Sequence, residues 1–256
     1  MRFIATTAAV LALCLSGCSA GSGARRDAID RVLAEAPRKA QPTEVVAADL
    51  ALARAAREDG QWTALRASAA PGAVLDLSGE QVVASNLRNR PAPAAASQWT
   101  PEAVWMSCDS QLAVSQGKYV EPDGTWGYYA TAWERQRDGS YRWTFMLRAP
   151  DADLTARQRR AGDTVEDDGT IIVQATPMIR GETGDCLSGT PPSLTDISSP
   201  AGAENKSASP DGTLVWRWTR SPNGPRRFFV FQAEQGRLDE TFTMEVTGDG
   251  RVTVTK

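Results

Sequence analysis

Residues 104–148 read VWMSCDSQLAVSQGKYVEPDGTWGYYATAWERQRDGSYRWTFMLR, and they carry the strongest secondary-structure signals in the chain. Within it, apolar runs occupy residues 104–107, 112–119, 125–135 and 141–148. The turn sequences Pro122-Asp123-Gly124 and Asp138-Gly139 separate the later runs. Short turns of this kind join neighbouring antiparallel strands. The stretch therefore predicts a meander of consecutive antiparallel hairpins.

Helical periodicity precedes this meander. Val46, Leu50 and Ala53 recur at helical spacing within residues 45–57, and the glycine at position 60 ends the pattern. The next expected elements are a short helix around residues 62–65, a strand at residues 73–77 and a third helix at residues 78–89. Helices followed by a meander are typical of an α+β protein.

The chain beyond residue 150 is expected to be a β extension of the main sheet. Residues 151–188 contain the turn sequence Asp167-Asp168-Gly169 before a strand at 170–177. Residues 189–211 are rich in Pro, Ser, Gly and Ala, which favours a linker. Turn sequences then separate four short strands at residues 214–219, 228–232, 241–246 and 252–255. We expect residues 212–256 to pack on the main sheet rather than fold alone.

The first residues have the composition of a secretory signal. Arg2 precedes an apolar run at residues 3–15, which is shorter than the ~20 residues that a membrane-spanning helix needs. The run ends in Leu15-Ser16-Gly17-Cys18, which resembles the lipobox of bacterial lipoproteins. In that class, cleavage before the cysteine is followed by attachment of a diacylglyceryl group and an N-acyl chain to it.

The lipobox resemblance implies a location for the protein. Residues 1–17 become a removed signal peptide, residues 18–43 a tether, and Cys18 the lipid anchor to a membrane, with the protein facing the periplasm. Each buried CH₂ contributes about 0.8 kcal/mol, so several acyl chains anchor a protein without spanning the membrane. Ser19 follows the cysteine, which resembles lipoproteins sorted to the outer membrane in hosts that have two membranes.

The composition excludes several classes of site. The chain has 256 residues and no histidine, which excludes Ser-His-Asp and Cys-His nucleophile pairs, His-ligated zinc or haem, and an imidazole general base. Its 28 basic and 31 acidic residues give a net charge of −3 without a long run of one sign, so no nucleic-acid partner is expected. No phosphate-binding loop or dinucleotide-binding motif occurs. We therefore expect no metal and no cofactor.

The cysteines divide into two groups. Cys14 lies in the signal peptide and Cys18 is the lipidation site, which leaves Cys108 and Cys186. In an oxidising periplasm these two form a disulfide or remain as unpaired buried thiols, and we favour the disulfide. Such a bridge would attach the segment after residue 150 to the main sheet.

Several short stretches resemble the nuclear-transport-factor-2-like, or SnoaL-like, superfamily. They are AAREDGQWTAL at 55–65, AVLD at 73–76, WMSC at 105–108 and GYYATAW at 127–133. The resemblance covers residues 44–150 and implies a cone, in which a curved antiparallel sheet wraps around N-terminal helices and leaves a pocket at its open end. Members of this superfamily include enzymes, small-molecule binders and protein-binding modules, and they often form homodimers through the open sheet face. Fold membership therefore does not determine the function.

Asp76 is the candidate catalytic residue. Residues 72–79, GAVLDLSG, are similar to the ketosteroid isomerase segment whose aspartate moves a proton between substrate carbons. An apolar pocket would raise the pKa of such an aspartate and make it a competent base. That chemistry also needs oxyanion donors, and the first expected helix contains no tyrosine. The alternative interpretation is an exposed aspartate at a strand end.

Aromatic residues and one arginine are candidates for lining a pocket. They are Trp62, Trp105, Trp133 and Arg148. We expect Trp105 and Trp133 to face inward as a pair, although core packing is the commoner role of such side chains. Arg148 either reaches the pocket mouth, where it would hold a carboxylate, or lies on the outer face, and we favour the outer face.

These features support three functional hypotheses. The first is an envelope-anchored lipoprotein with a non-catalytic SnoaL-like domain that binds a small apolar ligand or a protein partner. The second is an isomerase or lyase of the ketosteroid isomerase and SnoaL kind that uses Asp76 as general base. The third is a protein-interaction module that pairs with another envelope protein through an edge of the C-terminal strands. The absence of histidine and the incomplete acid and base set favour a non-catalytic protein.

Overall fold

Four strands of the expected meander form the centre of a large curved sheet. They are β3 (Gln98–Met106), β4 (Leu112–Val120), β5 (Trp126–Arg135) and β6 (Tyr141–Pro150). Each pairs antiparallel with its neighbour in sequence, so the predicted meander is confirmed. The computed structural model describes residues 40–163, 178–186, 203–221 and 224–256, and all of them belong to one compact unit.

Three further strands make this sheet mixed rather than antiparallel. They are β1 (Ala69–Leu77), β2 (Glu80–Val83) and β7 (Arg180–Thr183), and the strand order is β2-β1-β6-β5-β4-β3-β7. β1 pairs parallel with β6, and β7 pairs parallel with β3. The expected purely antiparallel sheet is therefore wrong. Turn sequences specify only the pairing of strands that are adjacent in the chain, whereas β1 and β7 pair with distant strands.

Helices cover one face of the large sheet, which we call the helical face. They are α1 (Pro42–Asp59), α2 (Gln61–Ala67) and a 3₁₀ helix (Ala84–Asn89). Their apolar side chains form one hydrophobic core with the sheet. The combination of these helices with the sheet confirms the α+β class.

The buried stripe of α1 differs from the expected one. Ala53 is buried as predicted, but Leu50 is 42% exposed. Val45, Asp49 and Leu52 are buried instead, at the i, i+4, i+7 spacing of one helix face. The expected stripe contains only apolar residues, whereas the buried face of α1 includes Asp49. The pattern of apolar residues alone therefore does not predict this face.

Residues 78–83 do not form the expected third helix. Ser78 and Gly79 have positive φ angles of 51° and 98° and make the turn between the antiparallel strands β1 and β2. Glycine adopts this conformation without steric cost. A hairpin therefore replaces the first part of the expected helix, and only the 3₁₀ segment after it is helical.

A second sheet packs on the opposite face of the large sheet, which we call the sandwich face. Its antiparallel strands are β8 (Ala203–Ala208), β9 (Leu214–Arg220), β10 (Arg226–Glu234), β11 (Arg237–Val246) and β12 (Val252–Thr255), in the order β12-β11-β10-β9-β8. A second hydrophobic core joins the two sheets. In it, the Phe145 ring lies 5.3 Å from that of Trp216, and the Trp105 ring lies 4.8 Å from that of Phe242. The C-terminal strands thus pack on the main sheet, as expected.

Two stretches between the sheets differ from the sequence expectation. A helix, α3 (Ala152–Asp163), follows β6 where a β extension was expected. Asp151 precedes it and accepts a hydrogen bond from the Leu154 N–H, as an N-cap residue does. β8 forms within the expected linker at residues 189–211. The expected strand at 170–177 lies outside the described residues.

The N-terminal expectations also lie outside the described residues. These are the signal peptide at 1–17, the lipidated Cys18 and the tether up to residue 39. Among the described residues, no helix is both long enough and apolar enough to cross a membrane.

Cys108 and Cys186 lie at disulfide distance, with their Cα atoms 5.2 Å apart. The β3–β4 loop that carries Cys108 is also joined to the second sheet, because the Cys108 N–H donates a 2.8 Å hydrogen bond to Thr213 Oγ1. The Asp109 N–H donates to Asp211 Oδ2 at 2.8 Å. This corner of the molecule therefore links both sheets and the segment that carries Cys186.

Candidate functional site

The helical face contains a buried carboxylate that the sequence analysis did not single out. Asp49, on α1, is fully buried. Its Oδ1 accepts a 2.8 Å hydrogen bond from Trp99 Nε1, and its Oδ2 accepts a 2.9 Å bond from the Tyr129 hydroxyl. α1 supplies the acceptor, and β3 and β5 supply the donors. This arrangement attaches the helix to the sheet at one polar point in an apolar core.

The network continues to Ser115 and Trp133. Ser115 forms a side-chain hydrogen bond with Asp49, and its Oγ accepts a 2.9 Å bond from Trp133 Nε1. Burial raises the pKa of Asp49, although its three hydrogen-bond partners partly offset the effect. Burial and the adjacent Asp49 also raise the pKa of Tyr129 well above its usual value. The polar groups of this network satisfy one another.

Arg148 also points into the helical face, so its expected position on the outer face is wrong. Its side chain is 5% exposed, and Nη2 lies 3.1 Å from Glu121 Oε1. The guanidinium carbon lies 4.1 Å from the ring centre of Tyr119 and 5.9 Å from that of Trp99, within the range of cation–π attraction. Ser97 Oγ donates a 2.6 Å hydrogen bond to the other oxygen of Glu121. Arg148 does hold a carboxylate, but it is that of the protein's own Glu121.

The cavity beside this network is small. It has a volume of about 10 Å³ and is lined by Leu65, Trp99, Tyr129, Met146 and Arg148. A cavity of this volume has room for about one water molecule. Within the described residues, this cavity is therefore too small to hold a ligand larger than about one water molecule.

Trp105 and Trp133 do not face inward together, so that expectation is wrong. Trp133 belongs to the core of the helical face and Trp105 to the core between the sheets. Trp105 Nε1 donates a 3.0 Å hydrogen bond to Glu182 Oε2 on β7. Successive strand residues alternate between faces, and β3 directs Val104 rather than Trp105 to the helical face.

Trp62 lies at the margin of the helical face. It packs half-buried against the core, and its Nε1 donates a 2.8 Å hydrogen bond to the Pro91 carbonyl. The guanidinium carbon of Arg90 lies 5.9 Å from the centre of its ring. Trp62 thus attaches the segment before β3 to α2.

Asp76 is neither exposed nor directed into the helical face. It is fully buried, whereas its neighbour Leu75 belongs to the core of the helical face, so Asp76 points to the sandwich face. Its Oδ1 accepts hydrogen bonds from Arg226 Nη1 and from the Gly79 N–H. Burial raises the pKa of Asp76, and Arg226 and Gly79 offset part of this effect. Through these two hydrogen bonds, Asp76 joins the β1–β2 turn to β10.

One signal for the buried network was present in the sequence. Asp49 stands between Val45 and Leu52 on one face of a helix. A carboxylate within an apolar stripe needs buried donors, and tryptophan and tyrosine are suitable donors. The pattern could have identified Asp49, but it could not have identified Trp99 and Tyr129, which are 50 and 80 residues away.

An uncharged open strand edge lies in the second sheet. Of the four edge strands in the described part of the chain, β2, β7 and β8 contain charged residues, and β12 reads Val-Thr-Val-Thr. β12 covers only Thr243–Val246 of β11, so residues 237–242 have no described strand partner on that side. Edge strands without charge or proline accept further strands most readily.

Comparison with known proteins does not assign the chain to a family. No family model matches it, and no curated protein matches it. In the described residues, no three side chains of His, Cys, Asp or Glu converge on a common point where a metal ion could bind.

Proposed function

We propose that the protein is an envelope lipoprotein, anchored through lipid on Cys18 and facing the periplasm, whose folded part is a non-catalytic protein-binding module. The Leu-Ser-Gly-Cys sequence at 15–18 supports the anchor. A curved sheet with helices against one face supports membership of the nuclear-transport-factor-2-like superfamily. The open edge at β12 supports the binding role.

The interior of the helical face favours a protein partner over a small apolar ligand. Pockets for small molecules usually have volumes of about 300 to 1,000 Å³, whereas the cavity beside Arg148 has about 10 Å³. The isomerase hypothesis is not part of this proposal, because Asp76 is fully buried and paired with Arg226 on the other face. We therefore expect the protein partner to bind at the molecular surface rather than inside the helical face.

The β12 edge is the observation that carries the proposal. The Val252 N–H donates a 3.1 Å hydrogen bond to Asp151 Oδ2, so this N–H points away from β11. Hydrogen-bonded and non-hydrogen-bonded pairs alternate along an antiparallel ladder. The N–H and C=O of Val254 therefore also point away from β11. The Val252 N–H is already bonded to Asp151, whereas an extended segment of a partner protein can pair with the N–H and C=O of Val254 and continue the sheet, as in β-strand addition.

Crosslinking in cells tests this proposal. A photo-crosslinking amino acid is placed at Thr253, whose side chain is exposed on β12, and at Arg57, exposed on α1, as the control position. We expect a crosslinked species from position 253 and not from position 57. Its mass distinguishes a different protein from a second copy of this chain.

A backbone variant makes the test specific. Val254→Pro removes an N–H that lies outside the β11 ladder, so the fold is retained, because proline is tolerated at sheet edges. Val254→Ala shortens the same side chain and keeps the N–H. We expect the crosslink from position 253 to persist with Val254→Ala and to disappear with Val254→Pro. Equal crosslinking in both variants, or none in the parent, would exclude recognition at this edge.

A further inference from the structure

A groove at the end of α2 is bordered by three arginines. It has a volume of about 540 Å³, and its walls include Arg66, Arg88 and Arg142. Arg66 lies in the last turn of α2, Arg88 in the 3₁₀ helix and Arg142 in β6. The positive charges therefore come from three separate elements that converge on one concavity.

These charges are not neutralised by the protein around them. No carboxylate lines the groove among the described residues, and none there forms an ion pair with Arg66, Arg88 or Arg142. On β5, Glu134 is the direct cross-strand neighbour of Arg142, but its Oε1 accepts a 3.4 Å hydrogen bond from Ser207 Oγ rather than pairing with the arginine. Asp138 interacts electrostatically with Arg142 but accepts hydrogen bonds from Ser140. Three like charges around a concavity produce a positive potential that favours an anion.

The guanidinium of Arg142 is held in position by the backbone. Its Nη1 donates to the carbonyls of Ala67 and Ala69 at 3.0 and 3.4 Å. These bonds use one nitrogen of a group that has five N–H donors. The other N–H donors of Arg142 are therefore already held in position before any anion binds. This lowers the entropy cost of binding an anion.

The floor of the groove is an irregular part of β1. The pairing with β6 shifts between Ala69 and Val74, so residues 70–73 leave the ladder at a bulge. Gly72 lies there with a φ of +77°, and no atom lies within 4 Å of where its Cβ would be. Bulges of this kind occur next to binding sites, where they redirect the chain. Ser85 and Gln136 add neutral polar groups to the walls.

We propose that this groove binds a phosphate-bearing anion. A phosphate group presents its oxygens tetrahedrally, so guanidinium groups that approach from three elements can each donate to it. A volume of about 540 Å³ is within the usual range for small-molecule pockets. The site is separate from β12 and independent of the proposed partner-binding edge. A soluble phosphorylated molecule and a phospholipid head group share this chemistry.

Calorimetric titration with inorganic pyrophosphate tests the soluble source. The protein is the full chain with Cys18→Ser, which carries no lipid at that position. We expect binding that weakens roughly tenfold or more in Arg66→Gln/Arg88→Gln. The control is Arg54→Gln/Arg57→Gln, which removes the same charge from the exposed side of α1. The control should change affinity by less than about twofold.

Flotation with vesicles tests the lipid source. The same proteins are mixed with vesicles of phosphatidylcholine alone or with added phosphatidylglycerol. Groove-dependent flotation with the anionic vesicles alone assigns a head group, and groove-dependent pyrophosphate binding alone assigns a soluble ligand. Equal weakening in the groove and control variants, or no binding of either probe, would overturn the proposal.

Discussion

The hydroxyl of Tyr129 donates a 2.9 Å hydrogen bond to Oδ2 of Asp49, a residue 80 positions earlier in the chain. Trp99 donates to the other oxygen of the same carboxylate. Both donors lie on the large sheet, and the acceptor lies on α1. The carboxylate therefore determines how α1 sits on the helical face, since an apolar residue at position 49 would leave Trp99, Tyr129 and Ser115 without this buried partner.

We expect Asp49→Ala to destabilise the protein strongly. Each buried donor left without an acceptor costs about 1 to 3 kcal/mol, so the Trp99 and Tyr129 donors alone account for a decrease of about 2 to 6 kcal/mol in the free energy of unfolding. Leu50→Ala is the matched control, because Leu50 is the next residue of α1 and is 42% exposed. Urea unfolding followed by tryptophan fluorescence measures both. Similar losses for the two variants would contradict a structural role for the carboxylate.

Asp49 should also contribute to the pH dependence of stability. Burial raises its folded-state pKa above the ordinary value of 3.8. A group with a raised folded pKa stabilises the fold below its unfolded pKa, and this contribution is lost as the pH rises through the folded pKa. The stability of the parent relative to Asp49→Asn should therefore be highest below about pH 4 and fall as the pH rises above that value. Urea unfolding across this range measures it, and a constant difference would contradict the assignment.

The Asp76–Arg226 pair should behave as a coupled unit. The Asp76 side chain is 0% exposed and that of Arg226 is 13% exposed. Arg226→Met leaves a buried carboxylate without its cation and should cost about 3 to 5 kcal/mol at neutral pH. Adding Asp76→Asn removes that charge and should recover part of the lost free energy of unfolding. Urea unfolding of the single and double variants measures this recovery.

The neighbouring arginine provides the control for this cycle. Arg227 pairs with Glu245, and its side chain is 43% exposed, so Arg227→Met should cost less than about 1 kcal/mol. If the effects of Asp76→Asn and Arg226→Met simply add, the two residues are not coupled. If Arg226→Met lowers the free energy of unfolding no more than Arg227→Met does, the Asp76–Arg226 pair does not stabilise the contact between the sheets.

Removal of the cysteine pair should lower stability without changing the fold. Cys108 and Cys186 are 78 residues apart in sequence, and closing a loop of this size contributes about 2 to 5 kcal/mol. We expect Cys108→Ala/Cys186→Ala to lose this amount in urea unfolding, and dithiothreitol to destabilise the parent but not the variant. A parent that dithiothreitol does not affect would show that the two thiols are not joined.

Local sequence signals predicted the elements whose partners are adjacent in the chain. The Pro122-Asp123-Gly124 and Asp138-Gly139 turns each join two strands of the meander, because a short turn brings its flanking strands together. The parallel pairing of β1 with β6 has no such turn, so no local signal could predict it. α3 was missed although Asp151 is a suitable N-cap residue.

The candidate site was harder to predict because side-chain direction depends on register. Trp105 and Trp133 both lie in predicted strands, yet they belong to different cores. A shift of one residue in register reverses the face of every side chain in a strand. The position of Arg148 depends on register in the same way, because its burial beside Tyr119 requires that its face of β6 meet the helices.

Local periodicity, turn residues and composition were enough to predict the meander, most of the C-terminal strands, the α+β class and the exclusion of histidine chemistry. The burial of Asp49 beneath α1, the pairing of Asp76 with Arg226 and the groove bordered by three arginines are visible only in the folded chain. Each of these depends on the meeting of residues that are distant in the chain. Such contacts form only when the whole sheet, with its register and both its covered faces, is assembled.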